Sequence, residues 1–402
     1  MSDLHESQPA PGYAGGVERT ALGTSPPDPA AALRGSMLVH VGPTSYRWAQ
    51  MNAHVIGDGL VLSGKASVAK LGELRGTYQG RSLLADPAHY TEYIATKDAP
   101  FFQDEQGSLF SAGLDTATAA LQDALTEQLG CGATLALSPT GYIRAEAARP
   151  LRNAVAAVKD FNDPRMALTA PLHHVWFSDE RIAQTISVLS GAPGLKVVVI
   201  GGQMDPLANP IVKNLRRLIA EVPGIALLRT DIAAVGALAY GAVFTSFGVI
   251  SSQRHLPPPK EPVQTGKRKG GGPKSPSVLY PDLMSFYLGE TIADRHGDGS
   301  APTCGCGVCQ GKRLDRFTTK GQGLGAEAVA HNVATVSQWS DELRSSQAQA
   351  DPHAWWSTRC QAALDKTRQV NVELGQTTGA SFKLCSQLQQ WAAAETDRAP
   401  QN

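Results

Sequence analysis

Short apolar runs alternate with amphipathic stretches from Met37 to Ile250, and that alternation restricts the chain to few architectures. MLVHV (37–41), SLLAD (82–86), ATLALS (133–138), MALTA (166–170), KVVVIGG (196–202), IALLR (225–229) and GAVFTSFGVI (241–250) have the length and composition of strands. Between them, DTATAALQDALTEQL (115–129), AARPLRNAVAAVKDF (147–161), DERIAQTISVLS (179–190) and NPIVKNLRRLIAEV (209–222) have the apolar period of helices. Strand followed by helix at this spacing predicts parallel strands joined by crossover helices. Seven such strands approach the count of a TIM-like (β/α)8 barrel, the α/β fold expected here, with an open doubly wound sheet as the alternative.

The flanks differ in texture. Residues 1–35 are rich in Pro, Gly, Ala and Ser without apolar period and read as a disordered leader. The barrel is expected over 36–295, interrupted at 256–278 by a Pro-, Gly- and Lys-rich segment that reads as a loop. From 326 the period is helical again, so 296–395 is expected to form a subdomain of its own that ends in C-terminal helices. Lysine plus arginine equals aspartate plus glutamate at 36 each, which leaves no global field to attract nucleic acid. Contact with a polyanion must come from a local patch. Lys260, Lys267, Arg268, Lys269 and Lys274 of the loop could track phosphates, or the loop is a solvated insert. No apolar run approaches the roughly 18–20 residues of a membrane helix, and the start lacks a basic segment followed by an apolar one. A soluble cytoplasmic protein is expected.

Three of the six cysteines fall at 304, 306 and 309, in CGCGVC, where glycines let the backbone fold the sulfurs toward one point. Three soft ligands leave one tetrahedral vacancy, which His331 on the following helix would fill, with His296 as the competing ligand. A site closed in this way, holding Zn2+, is structural and not catalytic.

In such a barrel, reactive groups sit where strands end at the C-terminal face. Asp86 ends SLLAD and could serve as base or nucleophile, or could cap a turn before Pro87. Asp231 follows IALLR in the same way and could instead cap the next helix. His173 and His174 follow MALTA and could hydrogen-bond a base or shuttle a proton, unless they are structural. Gly201 and Gly202 would permit close approach of a planar base or a phosphate, or make a tight turn. Arg254 and His255 could meet a phosphate or lie in a surface loop.

The Cys-x-Cys-x-x-Cys run followed by a helix bearing His331 and Asn332 resembles the zinc motif of the tRNA-guanine transglycosylase superfamily. Further matches run in order: Asp86 ending a strand, Ile-Gly-Gly at 200–202, and Arg-Thr-Asp ending at 231 before a Gly-Ala-Val-Phe strand. The resemblance implies a (β/α)8 barrel with a zinc-bearing insertion, and exchange of guanine for a 7-deazaguanine through a covalent aspartyl intermediate, on tRNA or on DNA. The chain departs from the family at several motifs. Pro87, Ala88, His89 and Tyr90 replace Ser-Gly-Gly-Phe-Gln, and Leu172, His173 and His174 replace Gln-Gly-Gly. The family's substrate-recognising Asp falls at Ser138 and its nucleophile near Thr245 or Ser246. A hydroxyl needs a base where a carboxylate does not, so the chemistry has moved to another acid or has been lost.

Three functions follow as expectations. The first is base exchange in nucleic acid, with Asp86 and Asp231 catalytic; Ser138, His173, His174, Gly201, Gly202 and Ser246 around the base; and Arg254, Lys267, Arg268 and Lys269 on the phosphates. The second is a noncatalytic zinc-containing subunit that binds nucleic acid or pairs with an active partner, as a homo- or heterodimer. The third is a zinc-stabilised barrel acting on a free small molecule.

Overall fold

All seven apolar runs become strands in the computed structural model, which describes residues 28–103, 114–203, 205–260, 274–297, 301–321 and 323–393. An eighth strand completes them. In chain order they are β1 (Ser36–Val41), β2 (Gly59–Ser63), β3 (Ser82–Asp86), β4 (Ala136–Leu137), β5 (Met166–His173), β6 (Lys196–Gly201), β7 (Ile225–Thr230) and β8 (Phe244–Gly248). They form one sheet in the order β3-β2-β1-β8-β7-β6-β5-β4, with every pairing parallel. The strand missing from the sequence analysis is β2, whose five residues GLVLS follow Gly57 and Asp58 and lie in no longer apolar run. Consequently GAVFTSFGVI contributes the eighth strand and not the seventh.

The ring closes between β3 and β4 through Thr134. Its backbone N–H donates to the Leu83 carbonyl at 2.8 Å, and its hydroxyl accepts from the Leu83 N–H at 3.0 Å. A barrel buries both faces of each strand, which is why the strands read as unbroken apolar runs. Leu38, Val61, Leu84, Leu137, Val197, Val199, Leu228 and Phe244 fill the interior. The alternate positions, among them Val39, Leu62, Ala85, Leu168, Val198 and Leu227, pack outward against the helices.

Residues 1–27 of the expected leader lie outside the described residues. Its last part belongs to the fold, because α1 (Pro29–Leu33), capped by Asp28, places Leu33 in the interior cluster of the barrel. The crossovers carry α2 (Tyr46–Met51), α3 (Ser67–Leu74), α4 (Thr116–Gly130), α5 (Ala148–Phe161), α6 (Ile182–Leu189), α7 (Val212–Glu221) and α8 (Ala233–Ala239). After β8 come the short α9 (Ser251–Arg254), an antiparallel hairpin of β9 (Ser277–Tyr280) and β10 (Ser285–Leu288), and α10 (Gly289–His296). The long α11 (Leu324–Leu343) packs on α8, β1 and β9, taking the place of an eighth barrel helix. α12 (Ser346–Ala350), α13 (Pro352–Thr377) and α14 (Ser386–Ala392) end the described chain. Val278 and Tyr280 of the hairpin share one apolar core with the three cysteines, which packs the hairpin against the cysteine loop. No helix among the described residues is long and apolar enough to cross a membrane.

Two buried tryptophans join the C-terminal helices to the barrel. Trp356 of α13 and Trp391 of α14 meet edge to face over Gly236 of α8, where an added Cβ would come within 2.6 Å of the Trp356 ring nitrogen and 3.1 Å of the Trp391 ring. Overpacking a filled contact costs about 1–3 kcal/mol. Gly236→Val is therefore expected to lower the melting temperature by several degrees and to increase amide exchange in α14, as read by hydrogen-exchange mass spectrometry. Unaltered exchange there would show that this contact does not anchor the helix.

Candidate functional site

The cysteine motif and α11 meet as the spacing requires. The sulfurs of Cys304, Cys306 and Cys309 lie 3.6, 3.5 and 3.2 Å from Nδ1 of His331. The four donor atoms are all within 4.8 Å of one another, and all four residues are buried. Bonds of about 2.3 Å to sulfur and 2.0 Å to nitrogen place tetrahedral donors at close to these separations. Nε2 of His331 lies 2.8 Å from the Leu279 carbonyl. That contact fixes the proton on Nε2 and leaves Nδ1 as the ligand. Arg316 donates to the Cys309 sulfur at 3.1 Å and pairs with Glu327, which supplies cationic balance to clustered thiolates. His296 stands apart, 3.5 Å from the Tyr280 hydroxyl, and is not part of the group. The geometry and the donor chemistry fit a zinc ion.

A second polar group fills the upper barrel interior. Asp86, at the end of β3, accepts from the Tyr90 hydroxyl at 2.5 Å, from Ser63 at 3.3 Å and from the Ala88 N–H at 3.0 Å. Its Oδ2 is 3.6 Å from Nε2 of His40, whose Nδ1 lies 3.1 Å from the Ser246 hydroxyl. Ser246 also accepts from the Arg229 N–H at 3.0 Å. Arg229 occupies a bulge in β7 with φ of 57°, and its guanidinium lies 5.7 Å from the Tyr90 ring centre. Burial pushes the Asp86 carboxyl up, against the pull of Arg229 and Tyr90. Burial, reinforced by the Arg229 charge, holds His40 well below its ordinary value and so neutral. Ser246, His40 and Asp86 stand in the order of a nucleophile, base and orienter, and all three are buried in the barrel interior.

Asp231 belongs to a different place. It lines a cleft of about 340 Å3 together with Asp205, Arg254, His255, Phe286 and Gln387. β6 and β7 deliver Asp205 and Asp231, the α9 turn supplies Arg254 and His255, and the β9–β10 hairpin and start of α14 close the far wall. Asp231 accepts from the Ala233 N–H at the start of α8 at 3.0 Å, as its position after a strand allows, and also accepts from Gln387. Burial first, and the Asp231 charge second, push Asp205 up to about 7. Arg254 was expected either on a phosphate or in a surface loop. It is instead buried in the cleft with its guanidinium 3.7 Å from the Phe286 ring centre, and burial pushes it down to about 10 against the pull of Asp231. Burial likewise lowers His255, which Asp231 opposes.

Asp86 does not line the cleft that Asp231 lines. Ser138 is used by the fold, its hydroxyl accepting from the Thr169 N–H and lying 2.8 Å from that of Thr140. The ring of Tyr142 occupies the space before Gly201, where a Cβ would approach within 2.6 Å, and Gly202 faces His174 and Pro206. Both glycines thus admit the protein's own side chains. His173 accepts from the Val175 N–H and lines a separate cavity with Tyr142, Arg144 and Glu146. His174 is lowered by burial, opposed by a contact with the Gly201 backbone. Lys267, Arg268 and Lys269 lie outside the described residues.

Four residues escaped the sequence analysis. Asp205 lies four positions beyond the end of β6, whereas Asp86 is the last residue of β3, so only a search extended to the loops after strands finds it. His40 is a polar residue at an inward position of MLVHV, which marks it. Arg229 and Gln387 carried no local signal.

Because Asp205 holds a proton in the folded state that the unfolded chain releases near 3.8, its contribution to stability falls as pH rises from about 4 toward 7. Asp205→Asn, which cannot ionise, is expected to melt close to the parent at pH 4 and above it at pH 8 in a thermal-shift series. The same offset at both pH values would contradict a raised carboxyl. Comparison with known proteins found no family model and no curated protein that matches this chain.

Proposed function

We propose that the chain exchanges a guanine for a 7-deazaguanine base in nucleic acid, and that the reacting groups are the two carboxylates of the cleft. The observation that carries this is the convergence of Asp205 and Asp231 beside a single space, where Asp231 helps to keep Asp205 protonated near neutral pH. A carboxyl whose environment raises it is suited to donate a proton, which leaves the nucleophile's part to the carboxylate beside it. A cleft of about 340 Å3 falls within the 300–1,000 Å3 range of ligand sites.

In this mechanism the target nucleotide leaves its stack to enter the barrel mouth. Asp231 attacks C1′ of the sugar, the C1′–N bond breaks, and the Asp205 proton passes to the departing base. The incoming base gives its proton to Asp205 and attacks C1′, which releases Asp231. The exposed Lys383 at the rim meets backbone phosphate. Cys304, Cys306, Cys309 and His331 would hold the zinc, which supplies a closed four-coordinate cross-link. Through Nε2, His331 holds Leu279, and with it the hairpin whose Ser277, Ser285, Phe286 and Tyr287 wall the cleft.

The full chain, incubated with duplex DNA or tRNA and labelled 7-deazaguanine, is expected to incorporate label. Asp231→Asn should reduce incorporation by roughly a thousandfold or more, the scale of losing a nucleophile. It should also abolish a covalent adduct detectable under denaturing conditions. If Asp86→Asn abolishes exchange while Asp205→Asn does not, the donor is the interior carboxyl. No incorporation from either nucleic acid, with nucleic acid still bound, would favour the noncatalytic subunit, a reading supported by the buried Ser246 at the position of the family nucleophile.

Elemental analysis is expected to find one zinc per chain. Cys306→Ser should release it and lower the melting temperature; a zinc-free protein that melts like the parent would remove the metal from the scheme.

A further inference from the structure

Four side chains that line the cleft, Arg254, His255, Tyr287 and Gln387, carry a buried hydrogen-bonding atom without a partner among the described residues, and those of Arg254 and Gln387 are of opposite sense. Gln387, 1 % exposed, donates its amide nitrogen to Asp231 at 3.1 Å to Oδ1 and 3.5 Å to Oδ2. An ionised carboxylate only accepts, so the contact fixes which end of the amide is nitrogen. The other end, Oε1, is thereby an acceptor, and it is buried without a partner. Arg254, 4 % exposed, offers the converse: its Nε is a buried donor without a partner. Both side chains line the same cavity. A buried donor or acceptor left unsatisfied costs about 1–3 kcal/mol, and more when charged, so such a pair calls for a complement.

We propose that Gln387 and Arg254 read the polar edge of the base: an N–H of the base donates to Gln387 Oε1, and a carbonyl or ring nitrogen accepts from Arg254. The ligand class is a planar heterocycle with a donor and an acceptor side by side, as guanine and 7-deazaguanine have. Phe286 orients the reader, because its ring lies against the Arg254 guanidinium at 3.7 Å. The depth of Gln387 is set by α14. One turn further on, Gln390 donates to the Leu207 carbonyl at 2.9 Å and accepts from the Val212 N–H at 3.1 Å. These contacts tie the same helix to the turn that carries Asp205. One amide thus touches the nucleophile with its nitrogen and the base with its oxygen, so a base that fails to engage the oxygen leaves Asp231 less firmly placed. The inference rests on the base-exchange reading for its bond chemistry and on the two orphaned groups for its recognition.

Equilibrium dialysis of the full chain at pH 7 with guanine, hypoxanthine and unsubstituted purine tests it without any turnover. The parent is expected to bind guanine at least about tenfold more tightly than purine, since a site built to hydrogen-bond rejects analogues that lack the partner groups. Gln387→Met keeps length and volume without polarity. It is expected to lose that preference while binding purine as the parent does, and Arg254→Met should behave alike. Circular dichroism reports whether each variant folds; should neither fold, the base series on the parent decides alone. Equal binding of guanine and purine by the parent overturns the inference, as does an unchanged preference in a folded Gln387→Met. A chain that selects guanine but incorporates no label would sink base exchange and leave recognition standing. A chain that incorporates label with no preference among the bases would do the reverse.

Discussion

The imidazole of His331 is the joint on which the C-terminal half turns. One nitrogen meets three sulfurs and the other meets the Leu279 carbonyl, so a single buried ring ties the cysteine loop, α11 and the hairpin together. Because α11 also packs on β1 and α8, the ring transmits the position of the barrel to the hairpin that walls the cleft. Asn332 reinforces the same register, accepting from the Leu279 N–H at 2.7 Å and donating to the Ser277 carbonyl at 2.9 Å. The two adjacent residues on one helix therefore hold both the metal cluster and the strand, and the cleft inherits its rigidity from them.

Electrostatics divide the upper barrel into two compartments. In the interior, a buried carboxyl, a neutral imidazole and a guanidinium cluster around Ser246, with His40 Nε2 and Arg229 Nε left without a hydrogen-bond partner. In the cleft, two carboxylates share space with a guanidinium, and hydrogen-bonding capacity remains unspent. Arg229 stands between the compartments, facing Tyr90 on one side and lining a small cavity with Asp205 and Asp231 on the other. Unmatched buried groups occur in both compartments, and what sets the cleft apart is the cavity of about 340 Å3 that its carboxylates line. That distinction, more than position on a strand, separates Asp86 from Asp231.

What the sequence disclosed follows from how local each signal is. Strands buried on both faces write themselves as apolar runs, and seven of eight were legible; β2, GLVLS between Gly57-Asp58 and Gly64, did not stand out from its Gly and Asp neighbours. The metal cluster was legible because three donors lie within six positions and the fourth on a strongly periodic helix. The cleft was half legible. Asp231 could be read from its place after IALLR, but its partner Gln387 is 156 positions away, in a short helix with no motif. Arg254 was misjudged as a loop residue because the prolines after it suggest exposure, while α9 turns it inward under Phe286. Long-range pairings of this kind have no local period to betray them.

The ring of strands is not equally strong all the way round. Seven of its junctions are parallel ladders, but β3 and β4 meet through the backbone and hydroxyl of one threonine. A cylinder with one such seam yields there first, and spontaneous opening will begin between the strands that bear Asp86 and Ser138. β7 and β8 lie diametrically opposite in the strand order. Asp231 and the arginine beyond β8 therefore stand on the side of the cylinder least disturbed by its own breathing, which is where a reaction that depends on fixed geometry is best kept.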